Sequence, residues 1–230
     1  MGDLIQFTDK NSGYKFTMVG DNPTADHILN NGIFEYPLIT WCTQFLDKDK
    51  LFIDIGAHMG TYSIILAQNS KHVYSFECQS KTFECLQKSI SLNSLESKIT
   101  PVNCALGEHE DTLILTKVSK DGGGSTLDSN AAKHGPSNLG TEEVIVKPLD
   151  SFNLTNVGFL KLDVEGWELE VLKGAEMTLQ LSGYPKFIFE AWPDNWYMEK
   201  RQRLFDYISS LGYKIVPIAG VNNMYLAEYV

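Results

Sequence analysis

The feature that most constrains this chain is the run from Leu51 to Gly60, LFIDIGAHMG. Three apolar residues lead into Asp54, the glycines Gly56 and Gly60 follow, and an apolar segment, Thr61 to Leu66, comes directly after. A short apolar run, a glycine turn and a second apolar stretch read as buried strand, tight turn and helix. Glycines in such a turn let a ligand approach the backbone where a Cβ would collide. Asp54 then stands where a strand end meets a crevice, the usual ligand position in an open α/β sheet. The plainer reading of these residues is a strand end with a glycine turn and no ligand.

The rest of the chain keeps the rhythm set there. Residues 72–76 (HVYSF) are the next expected strand, ending at Glu77, and a helix is expected from Gly60 to Gln68. Ser80 to Leu92 reads as a helix with Ser80 as N-cap and Phe83, Leu86 and Ile90 on one face. Residues 99–104 give a third strand, so βαβ crossovers and a parallel sheet follow. Further strands are expected at 112–116, 144–147, 158–162, 186–189 and 213–217, with 224–229 as the return arm of a hairpin. Helices are expected at 167–181 and 195–211. Lys117 to Thr141 carries GGGST at 122–126 and few apolar residues, and a loop this long in a compact domain is functional or disordered. Ahead of residue 51, Asp9 to Pro23 is turn-rich, with a short hairpin around Tyr14 to Phe16, and 34–45 reads as a packed helix starting near Pro37. The expected organisation is one doubly wound α/β domain over residues 51–230, with residues 1–50 as an N-terminal extension packing on it.

Charge narrows the partners. Nineteen Lys and Arg against 29 Asp and Glu leave a net charge of -10, which argues against nucleic acid, since phosphate binding needs clustered basic residues. No apolar run reaches the roughly 20 residues of a membrane span, and no signal peptide is visible at the N-terminus. Gly2 follows Met1, but Gln6 stands where an acylation pattern needs Ser or Thr. Cys42, Cys78, Cys85 and Cys104 show no metal-finger or CxxC spacing. The expectation is a cytoplasmic protein with four reduced thiols.

Glu77 ends the second core strand, 23 residues after Asp54, where an acid can accept both hydroxyls of a ribose. A dinucleotide site would show G-x-G-x-x-G with a pyrophosphate on the helix N-terminus. This chain places Asp54 ahead of Gly56 and Gly60 instead, and that acid would repel a pyrophosphate. It suits an amino group. S-adenosylmethionine offers an ammonium, a sulfonium and a ribose without phosphate, so charge complementarity favours it over NAD. A P-loop is excluded, because no glycine cluster runs into Gly-Lys-Ser/Thr.

Several stretches together resemble the FkbM family of methyltransferases: FIDIGAHMG, then Tyr74 to Glu77, Asn103 to Gly107, Pro148 to Asp150, and FLKLDVEGWELEVLKGA from Phe159 to Ala175. The resemblance runs from about Glu35 to Trp192, and KLDVEGWELEVLKGA is its most specific part. Cys78 departs from it, since relatives mostly carry Pro after the ribose-binding acid. The resemblance implies a class I, Rossmann-like methyltransferase sheet of seven mostly parallel strands with one antiparallel strand near the C-terminus. It implies that Asp54, Gly56, Ala57, His58 and Gly60 line the S-adenosylmethionine pocket and that Glu77 holds the ribose. Asn103 to Leu106, including Ala105, would flank the adenine. Ser125 and Glu35 occupy positions that in relatives lie near the cofactor.

Methyl transfer needs the acceptor oxygen, methyl and sulfur aligned, and an aliphatic hydroxyl must also lose its proton, to a base or with the help of a metal. Asp163 and Glu165 follow the fourth core strand and Glu190 ends the fifth, so they are the candidate catalytic acids. Asp163 and Glu190 could share Mg²⁺ or Mn²⁺, whose hardness suits carboxylate oxygens. The alternative for Glu165 is a favourable charge at a helix start. Trp192, Trp196 and Tyr197 are expected either to stack a sugar ring or to pack the last helix. The expected function is O-methylation of a sugar or glycan hydroxyl. The rivals are a polyketide or other small-molecule O-methyltransferase, and a non-catalytic cofactor-binding module of a larger glycan-assembly protein.

Overall fold

The computed structural model describes residues 3–230; Met1 and Gly2, where the extension starts and the acylation pattern would sit, lie outside the described residues. The chain opens with an antiparallel hairpin, β1 (Leu4–Thr8) and β2 (Lys15–Val19). Its turn is Asp9 to Tyr14, so Lys15 and Phe16, expected at the hairpin's centre, begin the return strand instead. Asp9 organises the turn: its carboxylate accepts from the Ser12 N–H at 2.7 Å and from the Ile33 N–H at 3.0 Å. Helix α1 (Pro23–Asn31) was not foreseen. Its signals are present, since Asn22 caps the Ala25 N–H at 2.9 Å and Pro23 opens the first turn, a common N-terminal pairing. Helix α2 (Tyr36–Cys42) runs into a 3-10 turn at Thr43–Phe45, within the helix expected there.

The core alternation follows as read: β3 (Leu51–Ile55), α3 (Thr61–Leu66), β4 (His72–Phe76), α4 (Ser80–Leu92) and β5 (Ile99–Val102). Gln79, not Ser80, is the N-cap of α4. The Ser80 N–H is drawn to Glu142 at 2.8 Å, a partner 62 residues away that no local pattern reveals. The chain then leaves the main sheet for β6 (Ala105–Leu106) and β7 (Asp111–Thr116), makes the short helix α5 (Ser129–His134), and returns as β8 (Thr141–Lys147). These strands form a separate sheet of order β6-β8-β7. The segment expected to be loop therefore contains a helix, started by Asp128, whose carboxylate accepts from the Asn130 and Ala131 N–H groups at 2.7 Å.

The second half supplies β9 (Val157–Leu162), α6 (Glu168–Lys173), α7 (Glu176–Leu181), β10 (Lys186–Glu190), α8 (Met198–Ser210), β11 (Tyr213–Pro217) and β12 (Met224–Tyr229). The main sheet has seven strands in the order β11-β12-β10-β9-β3-β4-β5, all parallel except β12, which is antiparallel to both neighbours. This is the seven-stranded, mostly parallel Rossmann-like sheet expected. Its central strands are apolar on both faces, as helix-covered parallel strands must be. Phe52 and Phe159 face a cluster that includes Phe16, Met18, Ile28 and Ile39 from the first fifty residues. Ile53, Ile55, Leu160 and Leu162 face the cluster built with α6 to α8. Each of these six strand side chains, at 0–1% exposure, contributes about 1.5–3 kcal/mol by leaving water. No helix among the described residues is long and apolar enough to cross a membrane.

The helix expected over 167–181 is broken at Gly174, between α6 and α7. Gly174 has an ordinary negative φ of -83°, so the reason is contact. A Cβ there would lie 2.0 Å from the carbonyl oxygen of Gly107. In an open helix, Gly to Ala gains about 1 kcal/mol. Here the overpacking penalty of roughly 1–3 kcal/mol should dominate. Gly174→Ala is therefore expected to lower the urea midpoint of unfolding, and a raised midpoint would remove the Gly107 contact as the cause of the break.

Candidate active site

The chain runs outward from β3 to β5 on one side of the sheet and from β9 to β11 on the other, so β3 and β9 flank the switch point where open α/β sheets bind ligands. Their C-terminal ends nearly touch. The Asp163 N–H donates to the Ile55 carbonyl at 3.1 Å. At Gly56, with φ +75°, a Cβ would fall 1.8 Å from the Asp163 carbonyl oxygen. Only glycine lets the chain turn away here. Above this point opens a cavity of about 370 Å³.

Asp54 does not line that cavity, which corrects its expected place facing a ligand. It is 0% exposed. In register it stands between Ser75 on β4 and Lys161 on β9. One oxygen accepts from the Ser63 N–H at 3.0 Å and from the Ser63 hydroxyl at 2.5 Å; the other faces Lys161 Nζ at 3.7 Å. Asp54 thus fixes the first turn of α3. Burial raises its carboxyl pKa, against the pull of Lys161 and Ser63. Gly60, at φ +94°, is also outside the lining; a Cβ there would meet Leu86 Cδ1 at 2.7 Å. Its role is to seat α3 on α4.

Gly56, Ala57, His58 and Glu77 do line the cavity. Glu77 accepts the His58 N–H at 3.0 Å and the Gln79 N–H at 2.8 Å, and a carboxylate so engaged keeps lone pairs for a ligand's hydroxyls. Burial raises its pKa, opposed by His58 and those two bonds. His58 sits at φ 53°, and its Nε2–H donates to the Asp121 carbonyl at 2.9 Å. Asn103 is a further correction: it lies outside the lining, where its amide donates to the Glu77 and Cys78 carbonyls at 2.9 and 3.1 Å. It holds the turn after β4. Cys104, Ala105 and Leu106 line the cavity instead, with Leu115, Leu127 and Trp167, giving that end an apolar wall.

The opposite end is acidic. Asp163, Glu165 and Glu190 each place one oxygen within 4.8 Å of the others. Glu190 is held by the Asn223 amide at 2.5 Å, while its Oε2 has no partner among the described residues. Burial, then Asp163, Glu165 and Glu168, push its carboxyl well above the usual range. Glu165 adopts φ 56°. Burial, then Asp163 and Glu168, push it up to about 8, although Gly124 donates to it at 3.0 Å. Glu35, also at φ 57°, enters the same end from the start of α2 and accepts the Tyr62 hydroxyl at 2.9 Å. Burial and Asp163 raise it as well. An orphaned buried oxygen beside mutually repelling carboxylates fits a divalent cation, whose hard-ligand preference these oxygens meet.

Three residues were missed in the sequence. Lys161, 3% exposed, is the only Lys or Arg in the lining among the described residues. Its Nζ donates to the Gly56 carbonyl at 2.7 Å and pairs with Asp163 at 3.4 Å. Burial opposes its charge, but Asp163, Asp54 and Glu35 outweigh it and push its pKa up to about 12. Its signal was available: a lysine inside the apolar run FLKL must find a partner if the strand is buried. Glu168, 1% exposed, accepts the Val164 and Gly166 N–H groups at 3.1 and 3.2 Å and so shapes the turn that carries Glu165. Burial pushes it up to about 7. At the start of a helix it reads as an ordinary surface acid. Tyr62 reads as core and turns out to link α3 to Glu35.

The aromatic cluster is placed differently from the sugar-stacking expectation. Trp192, Trp196 and Tyr197 do not line the cavity. Trp196 stacks on His134 of α5 at 4.2 Å, and Tyr197, 2% exposed, points its hydroxyl at Glu168. They dock the 117–141 segment on the main sheet's helices. That segment reaches the cavity through Asp121 to Ser125, and the Thr126 hydroxyl donates to the Glu165 carbonyl at 2.6 Å. Ser125 lines the cavity with an unpartnered buried hydroxyl.

Comparison with known proteins identifies the family and the fold. Methyltransferase 1 of Beauveria bassiana is 30% identical over 148 residues, covering 56% of this chain and 59% of that protein. A hexuronic acid methyltransferase of Haloferax volcanii is 27% identical over 153 residues, covering 64% of this chain and 58% of that protein. The chain thus spans about three fifths of the length of these curated relatives. A crystal structure of an FkbM methyltransferase from Methylobacillus flagellatus shares the fold, with a TM-score of 0.55 at 19% identity, over 91% of this chain and 61% of that one. Residues 54–215, most of the chain, match the model of the methyltransferase FkbM domain, and the protein belongs to that family.

Proposed function

We propose that this protein transfers a methyl group from S-adenosylmethionine to a hydroxyl of a sugar or glycan. The observation that carries the cofactor reading is the division of one cavity into two ends. Glu35, Asp163, Glu165 and Glu190 crowd one end around a single lysine, and apolar side chains wall the other. Between them stands Glu77. A ligand with a cationic amino-acid end, a ribose and a flat apolar base matches that sequence of environments. The donor supplies an activated methyl carbon when bound, so the chain has only to align and deprotonate an acceptor.

Asp163 is the assigned general base. It is the acid of the trio that Lys161 holds directly, at 3.4 Å, and it stands at the switch point. Glu165 and Glu190 complete the trio. With Asp163 they would hold Mg²⁺ or Mn²⁺, which would supply a Lewis acid to acidify the acceptor hydroxyl. Lys161 offsets part of the negative charge these acids share. The acceptor enters near Phe34, a cavity-lining ring that is 47% exposed. The sugar reading is supported by the hexuronic acid methyltransferase among the relatives and no longer draws on Trp192, Trp196 and Tyr197.

Calorimetry should detect S-adenosylhomocysteine binding to the wild type and to Asp163→Asn, while methyl transfer to uronic acids or glycans, followed by mass spectrometry, is expected to fall by about 10²-fold or more in the variant. Full turnover by Asp163→Asn would remove it from the mechanism.

The acid trio gives a pH signature. Glu165 titrates at about 8 in the fold against roughly 4.3 in an unfolded chain. The folded state therefore holds the proton more tightly, and this contribution to stability is whole below pH ~4 and lost as pH rises through ~8. Glu165→Gln should raise the melting temperature of the metal-free protein over wild type by an increment that grows from pH 5 to pH 8. Mg²⁺ or Mn²⁺ should stabilise the wild type more than the variant. An increment independent of pH, with no metal effect, would count against the crowded trio as a metal site.

A further inference from the structure

Two polar groups of the cavity lining stand without partners. Trp167 Nε1 and Ser125 Oγ are both buried and have no hydrogen-bond partner among the described residues, and both residues line the cavity. Buried polar atoms are rarely left unpaired, and those that are point to something that completes them. The indole nitrogen is fixed in place. It lies against Gly107, where a Cβ would come within 3.3 Å of it, and Lys200 Nζ sits over the ring at 5.6 Å from its centroid. Gly107 directly follows β6, so Trp167 reaches from the loop after β9 across to the strands beyond Glu77.

Leu106, Leu115 and Leu127 with Cys104 form the apolar part of the same lining. They suit a flat, weakly hydrated ring and are a poor match for a sugar, whose hydroxyls they would leave unpaired. An indole N–H can only donate, whereas a serine hydroxyl can donate and accept. A purine edge offers ring nitrogens that only accept, alongside an exocyclic amine that donates. We propose that Trp167 reads the edge of the adenine base, its N–H donating to one of the ring nitrogens. This rests on the S-adenosylmethionine reading above and adds a base-recognising residue to it. Trp167 becomes a specificity residue contributed by the same turn that carries Glu165.

The test is calorimetric and needs no acceptor. S-adenosylhomocysteine and its 1-deaza, 3-deaza and 7-deaza analogues are titrated into wild type and Trp167→Phe, which keeps an aromatic ring and loses the N–H. Trp167→Phe is expected to bind S-adenosylhomocysteine ~5- to 10-fold more weakly, the worth of one hydrogen bond. The one analogue that lacks the accepting nitrogen should lose a similar factor with wild type and bind both proteins alike, as a double-mutant cycle requires. Equal affinity of the two proteins for S-adenosylhomocysteine would overturn the inference. So would a wild type that binds all three analogues as tightly as the parent, a result that stands even if Trp167→Phe fails to fold. Wild type that does not bind S-adenosylhomocysteine at all would instead overturn the cofactor reading, and this inference with it.

Discussion

The ammonium of Lys161 holds the centre of this molecule together. It lies where the two middle strands end, beside the carboxylates of Asp54 and Asp163 and the carbonyl of Gly56. A buried charge is stable only when paired and hydrogen-bonded, and here the requirement runs both ways. Without the lysine, two carboxylates and a row of carbonyl oxygens would repel one another across a gap set by the strand spacing of about 4.8 Å. With it, the strand ends draw close enough that residue 56 has no room for a side chain. The glycine turn and the lysine are two parts of one solution.

From that point the order spreads outward through the first turn of α3. Asp54 anchors Ser63, and Ser63 in turn contacts Ser75 on β4 at 2.6 Å. Tyr62, the next residue back, is thereby fixed with its ring 5.3 Å from Lys161 Nζ and its hydroxyl on Glu35. The segment before β3 is thus tied to the sheet by a polar chain as well as by the packing of Phe16, Met18 and Ile39. Glu35 holds a left-handed backbone conformation, which costs energy in a non-glycine residue and persists only when its surroundings demand it.

Much of this was legible in the chain. The alternation from Leu51 onward gave the strands, and Gly56 and Glu77 marked the cavity, because each depends on local backbone requirements that a sequence displays. What stayed hidden was set by partners far along the chain. Asp54 looks like a ligand group until Lys161 is seen beside it in register, 107 residues on. Ser80 looks like a cap until Glu142 takes its N–H. Gly174 looks like a tolerated helix glycine until Gly107 is packed against it. Trp192, Trp196 and Tyr197 carry the composition of a sugar platform, but composition does not say which way a ring faces, and α5 covers Trp196. Helix α1 is a different kind of miss, since the Asn22-Pro23 start was there to be read.

The acidic end of the cavity is unusual in that it is more negative than its own structure can neutralise. One lysine faces Glu35, Asp163 and Asp54, and Glu165 and Glu190 have no cation of their own among the described residues. Their carboxyls respond by holding protons to higher pH. Such an arrangement destabilises the protein once the carboxyls ionise, and a positive ligand would relieve it. At Glu165 the Gly124 N–H offsets part of that cost, and the residue's carbonyl accepts the Thr126 hydroxyl. The segment over the cavity is therefore fastened to one of the crowded acids. Electrostatics at the switch point and the placement of that segment are in this way set by one side chain and its backbone.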